Sequence, residues 1–269
     1  MESLDALVER SWRDCILLAP DNGPPSSSVA SYALGHPYLP DDRDWPTWRD
    51  RPMCHVLQLD FGALPPLAGF PERGLLQWFV GADSTYGLTF DDTAGRVGFG
   101  VRWYADPVAP SLARPDDPTP WHTLSDAVAP LEVGEGPVAV HGTAARTLPA
   151  YTELGEGLDL SALTRLAESV GEDPEEVEFV WEEYVRGPSG DRGAASGSML
   201  GGAPSFTQWD PRGWGGYPAA SLPAGRQLVQ LDSEQFGGWG DAGIAHLFGD
   251  PAALARGDLS GVTYHWDCG

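Results

Sequence analysis

The chain has 269 residues, 42% of them hydrophobic, which is enough to bury a large core; its 16 basic residues stand against 39 acidic ones, a formal charge of −23. All 16 basic residues are arginine. Nucleic-acid binding draws on a basic face that no stretch here supplies, so that class is excluded, and the acidity serves solubility or steers a basic partner.

In chain order, Ser3 predicts the N-cap of a short helix over residues 3–13, with Leu4, Leu7, Val8 and Trp12 at helical spacing. Residues 15–33 read as turning or loosely ordered chain, because Pro20, Asn22-Gly23, Pro24-Pro25 and three serines punctuate them. Short strands are expected at 54–60, 74–82, 88–90 and 96–104. Pro107, Pro110, Pro115, Pro118 and Pro120 predict extended irregular chain, followed by a strand near 137–143. The main helical region is 159–186. There Asp159 caps a helix carrying Leu163, Ala167 and Val170, Gly171 stops it, and Asp173-Pro174 opens a second with Val177, Val180, Trp181 and Tyr184 inward. A connector at 187–198 leads to strands at 227–232, 243–248 and 261–267, with a short helix from Asp250-Pro251 stopped by Gly257.

Four signals in residues 34–106 recur in order in 200–268. Leu34-Gly35-His36-Pro37 is echoed by Leu200-Gly201-Gly202-Ala203-Pro204, Leu57-Gln58-Leu59-Asp60 by Val229-Gln230-Leu231-Asp232, Gly74–Phe79 by Gly243–Phe248, and Gly98–Tyr104 by Ser260–Trp266. The expectation is a mainly β fold, α+β by content: one compact domain over 1–269, made of two similar β-rich halves from an internal duplication, with a short N-terminal helix and a helical pair inserted between the halves.

Standard catalytic signatures are absent: no Gly-x-Ser-x-Gly, no Walker-type loop, no His-Glu-x-x-His and no dinucleotide fingerprint. Cys15, Cys54 and Cys268 form no Cys-x-x-Cys, which argues against a disulfide framework or a zinc ribbon. His265-Trp266-Asp267-Cys268 gathers metal-ligand types, yet strand alternation sends His265 and Asp267 one way and Cys268 the other, so no metal and no cofactor is expected. No leader pattern and no apolar run of about 18 residues is present, giving a cytoplasmic expectation.

Two readings of the polar strand residues stay open. Gln58, Asp60, Gln230 and Asp232 converge if a two-fold axis relates the halves, giving paired carboxylates for acid–base work; alternatively each Asp ends its strand and accepts backbone N–H groups, the favoured reading. In Phe236–Gly243, glycines surround Trp239 and Asp241; Asp241 is expected to cap the turn first and to bind second. Tryptophans on strands read as core, whereas the loop residues Trp45, Trp48, Trp214 and Trp239 are the surface candidates.

Several segments resemble the YwqG-like bacterial proteins, a family of uncharacterised function. They are Gly35-x-Pro37-x-Leu39-Pro40 with Asp44-Trp45-Pro46, Leu57-Gln58-Leu59-Asp60, Gly74–Phe79, Leu200-Gly201-Gly202-x-Pro204-x-Phe206-x-Gln208-x-Asp210-Pro211-Arg212, Trp239-Gly240-Asp241-Ala242-Gly243 and Tyr264–Cys268. His36 and the Pro-rich 107–120 depart from the pattern. The resemblance implies a mainly β, internally similar fold in a bacterial cytoplasm and supplies no catalytic residue.

The sequence thus points to a non-catalytic binding factor, monomeric or weakly dimeric, for a basic protein or peptide, of the immunity or antitoxin kind. The other reading is an enzyme or small-ligand protein with a carboxylate-lined site between the halves.

Overall fold

The computed structural model describes residues 3–21, 23–40, 43–89, 95–108, 110–131, 136–151, 154, 161–187, 193, 196–212 and 225–269. Asp159 and Trp214 lie outside them.

Ser3 caps α1 (Leu4–Ser11) by accepting from the Ala6 amide at 3.2 Å. Residues 15–20, expected as turning or loosely ordered chain, instead belong to strand β1 (Arg13–Pro20). It is hydrogen-bonded on both sides, to β8 (Val138–Thr147) and β9 (Met199–Gly201). A short apolar run with a neighbour on each edge carries no period-2 signature, so Cys15–Ala19 looks featureless in sequence although Cys15, Ile16 and Leu18 are buried. Pro20, which lacks an amide to donate, sits at the end of the strand.

The remaining strands are β2 (Tyr32–Ala33), the hairpin β3 (Thr47–Trp48) and β4 (Arg51–Pro52), β5 (Cys54–Asp60), β6 (Leu75–Val80), β7 (Phe99–Tyr104), β10 (Arg226–Asp232), β11 (Ile244–Gly249) and β12 (Thr263–Asp267). Residues 88–89 form no strand. The helices are α2 (Ser161–Val170), α3 (Val177–Arg186), the single turn α4 (Ser233–Phe236) and α5 (Pro251–Ala255), with a 3-10 turn at Pro120–Thr123. The fold is mainly β, and ten strands form one antiparallel sheet in the order β12-β11-β10-β9-β1-β8-β2-β5-β6-β7.

That sheet nearly closes into a barrel. Its edges β7 and β12 are drawn together where the Tyr264 amide donates to the Gly95 carbonyl at 2.8 Å and the Phe99 and Tyr264 rings meet at 5.5 Å. Inward residues from both ends share one apolar core, including Leu57, Leu59 and Trp78 of one end and Val229, Leu231, Trp239 and Tyr264 of the other. A second cluster joins α1, α2 and α3 through Leu7, Leu163, Trp181 and Val185. Trp181 is fixed by its indole N–H, which donates to the Pro149 carbonyl at 2.9 Å.

Candidate functional site

Gln58 and Gln230 occupy matching places on β5 and β10, each one residue beyond a bulge, at 55/57 and 227/229 respectively. The Gln58 side-chain carbonyl accepts from the Tyr38 amide at 2.9 Å, and its amide donates to the Ser28 and Ala30 carbonyls at 2.9 and 2.8 Å. The Gln230 carbonyl accepts from the Ser205 amide at 2.9 Å, and its amide donates to the Gly197 carbonyl at 2.7 Å. Both glutamines are 0% exposed. Each ties a covering loop to its strand by satisfying main-chain groups that burial would otherwise leave unpaired.

The aspartates two residues on follow the same logic. Asp60 accepts through Oδ1 from the Gly62 amide, and the Asp60 amide donates to Ser31 Oγ. Asp232 accepts from the Glu234 and Gly197 amides, capping α4, while its own amide donates to Ser198 Oγ. Gln58 and Asp60 therefore do not converge with Gln230 and Asp232. Strands β9, β1, β8 and β2 separate β10 from β5 in one direction, and β11, β12, β7 and β6 in the other. Because side chains alternate and Leu57, Leu59, Val229 and Leu231 face the shared core, the four polar residues lie on the outer face at opposite sides of the barrel. Among the described residues, Asp60 and Asp232 therefore form no shared carboxylate pair.

The loop 236–243 departs from expectation in two ways. Trp239 is 0% exposed, stacked on Trp78 at 5.9 Å and meeting the Tyr86 ring edge-on at 5.4 Å, so this loop residue is core rather than surface. The glycines let the chain turn tightly here: Gly238 and Gly240 take positive φ, and a Cβ at Gly243 would collide with the Trp239 carbonyl. The turn's polar anchor is Ser233, not Asp241. Ser233 Oγ donates to the Gly243 carbonyl at 2.8 Å and accepts from the Trp239 amide at 3.2 Å, while Asp241 is exposed. Trp45 is half-buried, donates to the Met53 carbonyl at 2.9 Å and packs against His36 at 4.9 Å, and Trp48 carries the Arg49 guanidinium at 4.2 Å.

His55, His246, His265, Cys15 and Cys54 are held in the interior. Burial pushes His55 and His265 down to about 4 and lowers His246 further below its usual range, where His265 and Arg212 add repulsion. Burial raises the Cys15 thiol to about 11, with Asp14 adding to it, and raises Cys54 as well, so neither is a thiolate at neutral pH. Asp267 is raised by burial, partly offset by hydrogen bonds from Gln208 and Thr207. Among the described residues no group of three or more His, Cys, Asp or Glu is placed to hold a metal ion, and no helix is long and apolar enough to cross a membrane.

The surface feature that stands out is the α2–α3 hairpin. Val180, Trp181 and Val185 anchor α3 inward, leaving Glu172, Asp173, Glu175, Glu176, Glu178 and Glu183 exposed. Beside these acids Val170 and Phe179 are 61% and 49% exposed. The sequence reads Asp173, Glu175 and Glu176 as opening a helix at Pro174, whereas α3 begins at Val177 and these acids lie in the turn before it. The exposure of Phe179 is not legible in the sequence, because only packing reveals which face of a short helix turns away from the body.

Residues 31–268 match the family described as a domain of unknown function, DUF1963, and the chain belongs to that family. No curated protein matches it.

Proposed function

We propose that this protein is a non-catalytic binding factor whose outward α2–α3 face takes a basic protein or peptide. The observation carrying this reading is the set of exposed acids Glu172, Asp173, Glu175, Glu176, Glu178 and Glu183 with Val170 and Phe179 exposed in the same hairpin. Acids steer a cationic partner and two exposed apolar side chains supply contact area that such steering alone lacks. The interior positions of His55, His246, Cys15 and Cys54 fit a scaffold better than a reaction centre. In its specific form the reading is neutralisation of a basic toxin, as an immunity or antitoxin factor does. The test is quantitative co-purification from the source cell with the parent and with a Glu175→Gln, Glu176→Gln, Phe179→Ser variant. A basic protein recovered in stoichiometric amount with the parent and lost with the variant is expected; equal recovery with both, or no stoichiometric partner, would sink it.

We also infer that the chain is YwqG-like within its family and arose by internal duplication. The second inference draws support from the parallel hydrogen bonds of Gln58 and Gln230, and of Ser31 and Ser198 with the amides of Asp60 and Asp232.

A further inference from the structure

We propose that a cavity of about 410 Å³ between the start of β1, the Leu67–Ala68 loop, the end of β9 and the start of β10 binds a small organic anion through Arg13 and Arg226. The charge pattern is the first reason. In a chain with 39 acids to 16 arginines, this cavity is lined by Arg13, Arg212 and Arg226 against one acid, Asp14.

The three guanidinium groups play different parts. Arg212 is occupied: its Nε and Nη2 fork onto Asp210 at 2.9 and 2.6 Å, its Nη1 donates to the Gly225 carbonyl, and Phe248 supports it at 4.8 Å. It is a fixed wall. Among the described residues, Arg13 donates through Nη1 alone, to the carbonyls of Arg10, Ser11 and Trp12 at the end of α1. Arg226 lies over the Phe70 ring at 5.8 Å. Neither Arg13 nor Arg226 has a carboxylate partner among the described residues, so each keeps guanidinium donors for a ligand.

An oxyanion is the chemistry those donors match, since the planar fork of a guanidinium fits carboxylate and phosphate oxygens. Trp12, Leu67 and Pro204 add an apolar wall, and the volume falls in the range of small-molecule sites, so a body beyond the bare anion is accommodated. Outside a Debye length of about 8 Å at physiological salt the overall negative charge is screened, leaving the local arginines to decide affinity.

Calorimetric titration of the full chain with citrate and with inorganic phosphate, against sodium chloride at matched ionic strength, tests this. The expected result is saturable binding of at least one oxyanion with a stoichiometry near one, weakened at least tenfold by Arg226→Glu and unchanged by Arg114→Glu, a control at a distant exposed arginine. Citrate binding alone identifies a carboxylate ligand, and phosphate binding alone a phosphorylated one. Heats no larger than those of sodium chloride, or equal loss in both variants, would overturn the site. Arg226 is exposed, so its substitution leaves folding intact, as an unchanged melting curve verifies.

Discussion

Trp78 of β6 and Trp239 of the 236–243 loop stack at 5.9 Å with their rings 22° from parallel, joining the two ends of the chain inside the barrel. Both are fully buried. Replacing Trp239 with alanine removes this contact together with those to Tyr86 and Trp266, and a buried Trp→Ala change costs about 3–5 kcal/mol. Urea unfolding should report that loss; a change below about 1 kcal/mol would mean that the loop is not part of the core.

Gln58→Ala and Gln230→Ala each leave buried main-chain groups unpaired, at about 1–3 kcal/mol per group. The two residues lie on opposite sides of the barrel, so the double variant should be additive within about 0.5 kcal/mol. Larger coupling would show that the two glutamines communicate through a common site.

Asp241→Ala should leave unfolding stability within about 0.5 kcal/mol of the parent, as for an exposed substitution. Ser233→Ala should lose about 1–3 kcal/mol, because the Gly243 carbonyl and the Trp239 amide both lose their hydroxyl partner. Melting curves of the two variants rank them directly.

Acidification should destabilise the protein from about pH 6.5 down toward 4. His55, His246 and His265 are neutral when folded and take up a proton more readily when unfolded, so the stability linked to them is complete above 6.5 and is lost as pH falls toward their lowered folded values. Each contributes a slope of about 1.4 kcal/mol per pH unit within that window. Asp267, raised when folded, acts in the opposite sense near the acidic end. A His265→Gln variant should flatten the pH dependence of urea midpoints; an unchanged slope would place the effect elsewhere.

Much of the strand framework is readable in the residues. β5, β6, β7, β10, β11 and β12 announce themselves through the repeated apolar-Gln-apolar-Asp and glycine-led segments, and α2 and α3 through helical spacing with Gly171 between. β1 escapes because a short apolar run bonded on both edges has no alternation. The positions of the site candidates escape for a different reason. Alternation correctly places Gln58 with Asp60 on one side of a strand, but whether that side turns toward the other half depends on sheet curvature, which no local pattern encodes. Trp239 looks exposed from its glycine neighbours, and those same glycines are what let the chain fold its indole inward. Arg13 and Arg226 are far apart in sequence and line one cavity because β9 bridges β1 and β10.

The location of β1 bears on how the chain can fold during synthesis. The first strand to be made is an interior one, and its neighbours are residues 138–147 and 199–201. Residues 13–20 must therefore wait, with their apolar side chains unpaired, until residues 138–147 have been made, and their other edge waits for residues 199–201. Pairings of such long sequence separation are slow to form and leave aggregation-prone surface exposed in the meantime. The acidic surface, by keeping nascent chains apart through mutual repulsion, protects that waiting strand.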